Sequence, residues 1–180
     1  MKIDRIFDNY LFSIKYSGAK KNEFRKIFDS WHNAVILFEF FEKNKFDLHS
    51  GYFGDISVDD AVSNTMKDAI DLEQIFVNLS KKSPKTQIKE LNSLFKPLHD
   101  AHYEAISLDK SKAKQRWLRI YALKTEDNGF IVTGGAIKLT RAMDERKHTK
   151  EELTKLEGCR KYLLKNNIIN VKDITEEREF

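Results

Sequence analysis

One cysteine, two prolines and seven glycines are all that this chain of 180 residues holds of those types. With Cys159 alone, no internal disulfide can form, which suits a reducing compartment. No run is long or apolar enough to span a bilayer. The opening Met1-Lys2-Ile3-Asp4 does not read as a signal peptide. A cytoplasmic protein with no membrane partner is therefore expected. No internal repeat, low-complexity tract or linker divides the chain, so residues 1–180 read as one domain, long enough to bury a core.

Chemistry-bearing patterns are equally sparse. Gly134-Gly135 lacks the following helix and lysine of a phosphate-binding loop, and in a strand paired glycines mark a bulge or a close backbone approach. Here they would leave Tyr121 and Leu123 uncovered, as a shallow groove beside Arg119. His99-Asp100 and His102 lack a third ligand, so no metal site is expected. No Ser/His/Asp order and no Cys/His pair stands out. Cys159, among Glu157, Gly158, Arg160 and Lys161, reads as a bystander on a helix surface. No cofactor is implied.

What the chain does hold is charge, unevenly spread. The net charge is +4, yet residues 101–150 carry eleven lysines and arginines against six acids. That local excess of +5 leaves −1 for the rest. A basic excess confined to one region favours a polyanionic partner there, such as nucleic acid. The alternative is a solvated lysine-rich loop holding Lys110, Lys112 and Lys114.

Residues 117–143 organise the rest. Leu118, Ile120 and Ala122 alternate with Trp117, Arg119, Tyr121 and Leu123, the period of a strand. Residues 130–138 repeat the rule with Ile, Val and Thr. Between them Asn128-Gly129 suits a two-residue turn, since both residues tolerate positive φ. In that register Ile120 faces Ile137 and Leu118 faces Leu139, which makes this the core side. On the other side Tyr121 faces Ala136, and Arg119 sits opposite Lys138. Like charges directly opposite are unfavourable. A shared phosphate explains the pair; so does a longer loop that shifts the register, or two side chains splayed into water.

Elsewhere, residues 10–16 alternate as a first strand. Residues 22–43 read as a helix with Phe24, Ile27, Phe28, Trp31, Val35, Phe38 and Phe41 inward. Residues 47–55 read as a loop. Ser57 caps a helix running to about residue 79, with Asp59 and Asp60 in its first turn. Residues 87–95 form a short amphipathic segment stopped before Pro97, and residues 103–108 a further strand. Thr149 and Glu152 form a capping box that opens the last helix. The acidic tail beyond Val171 is expected to fray. The sum is an α+β domain: a small antiparallel sheet of three to four strands, two long N-terminal helices on one face, and a C-terminal helix.

Four segments share a further pattern. They are Leu94-Phe95-Lys96-Pro97-Leu98, Tyr103-Glu104-Ala105-Ile106, Trp117-Leu118-Arg119-Ile120-Tyr121 and Gly134-Gly135-Ala136-Ile137-Lys138-Leu139-Thr140. From about residue 91 to 164 the chain resembles RelE/HigB-type toxins, with an enlarged N-terminal helical part. The resemblance implies a metal-independent endoribonuclease that cleaves messenger RNA, in many relatives on the ribosome, and that pairs with an antitoxin protein. The cleavage activates a 2′-hydroxyl against the adjacent phosphate. By position, Lys138 matches the basic end of the last strand and Arg141 the basic residue beyond it. Arg119 lies two residues before Tyr121 where the family arginine lies three before. Glu104-Ala105-Ile106 lacks the family's following arginine, and His148 lies beyond the position of a strand-end histidine.

On this reading Arg119, Lys138 and Arg141 neutralise the phosphate. Tyr121 stacks on a base or donates a proton, and Trp117 extends the stacking surface. Lys114, Arg116 and Lys124 add RNA contacts. The alternative function is a non-catalytic nucleic-acid- or protein-binding module on the same scaffold.

Overall fold

The computed structural model describes residues 1–7, 10–49, 52–98, 108–141 and 146–175. Among them, six strands form one mixed sheet: β1 (Lys2–Phe7), β2 (Leu11–Lys15), β3 (Lys96–Pro97), β4 (Asp109–Gln115), β5 (Leu118–Lys124) and β6 (Phe130–Ile137). Their order across the sheet is β1-β2-β6-β5-β4-β3. All neighbours run antiparallel except β2 and β6, which are parallel. The class is α+β as expected, but the sheet is larger than three to four strands and is not purely antiparallel.

Among the described residues seven helices accompany it: α1 (Glu23–Trp31), α2 (Ala34–Lys43), α3 (Lys45–Leu48), α4 (Val58–Ser80), α5 (Pro84–Leu94), α6 (Lys147–Lys165) and α7 (Val171–Thr175). They do not lie on one face. Leu118, Ile120, Ala122, Ile137 and Leu139 pack with α1, α2 and α4 in one buried cluster. Tyr121, Leu123, Ile131 and Ala136 pack with Leu156, Cys159 and Leu163 of α6 in a second. The central strands are buried on both sides, which is why β5 is apolar at nearly every position rather than cleanly alternating. Each large aliphatic or aromatic side chain so buried contributes about 1.5–3 kcal/mol.

Several expectations need correcting. The helix of residues 22–43 is two helices. Asn33 leaves helical geometry and its side chain accepts the Val35 and Ile36 amides, capping α2. The turn reorients the second half, so Val35 is 67% exposed and Phe38 46%. Residues 109–115 are not a lysine-rich loop but β4, with Ser111 and Ala113 buried and the lysines on the other side. Within residues 47–55 the chain is still helical up to Leu48. Pro84 opens α5 three residues before the expected start, at the position where its missing N–H costs nothing. The last helix opens at Lys147 with Arg146 as its cap, and Thr149 Oγ1 donates to the Arg146 carbonyl instead of forming a capping box. Of the tail beyond Val171, the backbone is helical to Thr175, and residues 176–180 lie outside the described residues. The expected strand over residues 103–108, save Leu108, lies outside the described residues.

The hairpin exists, in a different register. Lys124 pairs with Phe130 around a loop in which Asn128 alone of Asn128 and Gly129 takes positive φ (68°). The Thr125 N–H donates to the Gly129 carbonyl at 2.8 Å, and Asn128 N–H to the Thr125 carbonyl at 3.2 Å. That is the closure of a three-residue loop, not of a two-residue one. Beside the loop the ladder is three residues from the expected register, and a bulge at Thr133 takes one of them back. At Arg119 the result is a two-residue shift: Arg119 faces Ala136, not Lys138. Beyond the bulge a shift by two keeps each side chain on its own face, so the expected core side of Leu118, Ile120, Ile137 and Leu139 survives.

Candidate functional site

The residues expected to carry chemistry fall into two groups. Trp117 and Tyr121 are wholly buried. The Trp117 indole N–H donates to Thr65 Oγ1 at 2.9 Å, with Phe41 and Phe53 edge-on to the ring. It sits in the core rather than on a stacking surface. Tyr121 lies under α6, its hydroxyl without a hydrogen-bond partner among the described residues, and burial raises its pKa further above neutrality. It is a neutral phenol. The groove expected over it is closed, because the Glu152 carboxylate occupies the space above Gly134, directly across from Tyr121.

Glu152 itself is nearly buried. One of its oxygens takes the Lys155 ammonium at 2.6 Å and the other has no hydrogen-bond partner among the described residues. Burial pushes its carboxyl above the usual range, with Lys155 pulling the other way. Arg116, beside Trp117, is committed to Asp68 at 2.7 Å. Lys124 stands at the far end of β5, paired with Asp109 and Phe130.

The second group gathers where β5 begins and β6 ends. Arg119 is 6% exposed, and its Nη1 donates to the carbonyls of Arg116 at 2.7 Å and Leu118 at 2.8 Å. Among the described residues no carboxylate pairs with it. Burial lowers its pKa, and the nearby Tyr121 and Tyr52 hydroxyls act in the opposite direction. Across the sheet on β4 its direct neighbour is exposed Lys114, a like charge. Lys138, two residues past the Ala136 that faces Arg119, continues the same side of β6. Its ammonium donates to the Thr140 carbonyl at 2.6 Å and to the Arg141 carbonyl. This ties the strand exit down, and from there the Arg141 guanidinium lies 5.9 Å from the centre of the Tyr52 ring.

Thus Lys114, Arg119, Lys138 and Arg141 come to one end of the sheet, and Tyr52, in a stretch that reads only as a loop, comes with them. His148 sits in the first turn of α6, its Nε2 2.8 Å from the Ile137 carbonyl and its ring edge-on to Phe40. His99, Asp100 and His102 lie outside the described residues, and among the described ones no three His, Cys, Asp or Glu side chains gather as a metal site. Among the described residues, too, no helix is long and apolar enough to cross a membrane.

No protein-family model, curated protein or solved structure matches this chain. The RelE/HigB resemblance rests on the short motifs alone.

Proposed function

We propose that the chain acts on RNA as a RelE/HigB-like endoribonuclease, with the scissile phosphate taken by the cations at the start of β5 and the end of β6. One observation carries the reading. Arg119 is a nearly buried guanidinium with no acid beside it among the described residues, and its direct cross-strand neighbour is another cation. Burying an unpaired charge is costly, and placing a like charge opposite it adds to the cost. An anionic ligand offsets both terms. A phosphate does so best in the transition state of 2′-hydroxyl attack, when more negative charge develops on its oxygens. The carbonyls of Arg116 and Leu118 hold the Arg119 guanidinium in place without neutralising it, which is preorganisation for an incoming anion.

A second reading, a non-catalytic RNA-binding module, is favoured by the surroundings of Glu152. This acid projects from α6 onto the sheet at Gly134, against Lys155 and not beside the cations of the strand ends, so the proton acceptor that cleavage needs is not assigned.

The test uses the purified chain with messenger RNA and ribosomes, beside binding of single-stranded RNA at two salt concentrations. Cleavage is expected, with binding that weakens steeply as salt rises. Arg119→Met should slow cleavage by about a hundredfold or more while the melting curve stays close to wild type, since an apolar side chain of similar length replaces a buried charge. Binding without cleavage supports the second reading. No binding at low salt overturns both.

A further inference from the structure

We infer that Tyr52 is the base-stacking residue of this cationic site, receiving an unpaired nucleobase of single-stranded RNA next to the phosphate held by Arg119 and Arg141. The inference rests on the RNA reading above and adds to it the surface that recognises the base.

The argument starts from how Tyr52 is held. Its ring meets Phe53 edge-on, with centroids 4.7 Å apart, and Phe53 meets the buried Trp117 in the same way at 5.4 Å. A chain of ring contacts therefore runs from the core to Tyr52. Yet Tyr52 itself is 46% exposed. A single exposed aromatic is ordinary on a protein surface; its company is what sets this one apart. Arg141 lies against the ring, and its carbonyl takes the Lys138 ammonium at the exit of β6. An anchored, half-exposed ring with a guanidinium against it, at the cationic end of the sheet, matches what single strands require. The cations track phosphates, and any base offers a face for stacking. A base in a duplex is already stacked and cannot use the ring, so the ligand is unpaired RNA. Trp117, which the strand pattern offers for this role, is in the core, and Tyr52 presents the exposed ring in its stead.

The experiment compares wild type, Tyr52→Leu and Tyr52→Trp for binding to a short oligoadenylate and to inorganic polyphosphate, with thermal melts of all three. Polyphosphate carries the charge without the bases. Tyr52→Leu should weaken oligoadenylate binding by about tenfold to a hundredfold, the range of one lost stack. It should leave polyphosphate binding unchanged, and Tyr52→Trp should restore the oligoadenylate affinity. Equal loss toward both ligands would mean that Tyr52 serves only to seat Arg141, and would overturn the inference. So would unchanged oligoadenylate binding in Tyr52→Leu, with the RNA reading still standing. Wild type that binds neither ligand rejects the RNA reading itself. The melts guard the comparison: a Tyr52→Leu protein that unfolds earlier, with Tyr52→Trp failing to restore binding, marks the residue as structural and overturns the inference.

Discussion

The carbonyl oxygen of Arg119 lies 2.8 Å from the point where a side chain on Gly135 would begin, and Ile27 Cδ1 lies equally close. Strand β5 and helix α1 both crowd a residue that has no room for a methyl group. Gly135→Ala should therefore destabilise by about 1–3 kcal/mol, since the backbone atom it meets cannot swing away. Gly134→Ala meets the end of the Glu152 side chain instead and should cost less. Gly158→Ala, within α6 and with open space around it, should stabilise by about 0.5–1 kcal/mol. Denaturant melts of the three variants check the order, and a Gly135→Ala protein as stable as wild type would contradict the packing described.

Thr65 and Trp117 form a buried polar pair between α4 and the β4–β5 turn. Thr65→Val keeps the shape and strands the indole N–H. The expected loss is about 1–3 kcal/mol by chemical denaturation. Thr65→Ser retains the acceptor and should recover most of it. Equal losses in both would show that the methyl group matters here as much as the hydroxyl.

Asp127 ties the C-terminal segment to the hairpin loop. Both of its oxygens lie 2.9 Å from the Val171 amide nitrogen, and Glu126 N–H donates to the Ile169 carbonyl at 3.0 Å. Asp127→Ala should cost about 1–3 kcal/mol. Hydrogen exchange should show a sharp loss of protection at the Val171 amide, with β5 and β6 far less affected. Unchanged exchange there would separate α7 from the loop.

Glu152 gives a pH test with a definite sign. Its folded pKa is raised above the ordinary value of 4.5, so its protonated form is the one the fold favours. Stability from this group is fully present below about pH 4.5 and is lost as pH rises through the folded pKa. At neutral pH the buried carboxylate is a cost, partly offset by Lys155. Glu152→Gln should therefore melt higher than wild type at pH 7, and the gap should close as pH falls toward 4.5. A gap that widens on acidification would reverse the assignment.

How much of this was legible in the residues depended on local signals. Helix α4 was, because Ser57 accepts the Asp60 amide where a cap should. The core side of β5 was, because parity outlives a two-residue slip. The break between α1 and α2 was not, since the aromatic period runs on through His32-Asn33, although Asn33 is a good capping residue. Strand β4 was hidden by its lysines, yet Lys110, Lys112 and Lys114 alternate with Ser111, Ala113 and Gln115 as a strand should. Strand β1 lies at the sheet edge with little burial, so its pattern is faint. At the candidate site, Arg119, Lys138, Arg141 and Lys114 were named from the sequence and do gather. Tyr52 was not, because a loop residue has no periodicity to betray it. Only the tertiary path of the stretch after α3 brings it to the arginines.

The parallel pairing of β2 with β6 has a consequence for the newborn chain. Ser13 Oγ donates to the carbonyl of Val132, a partner 119 residues further on. At ordinary rates of synthesis that interval is on the order of ten seconds. For all of it β2 has only β1 to pair with and lacks the neighbour that completes its other edge. The helices α1, α2 and α4 emerge in the same interval with apolar sides and no sheet to cover. Such a chain depends on its last third before its first third can settle, and pairings this distant in sequence form slowly. Fragments ending after α5 should therefore accumulate as insoluble or chaperone-bound material, while the full chain, once β6 is released, closes the sheet from the middle outward.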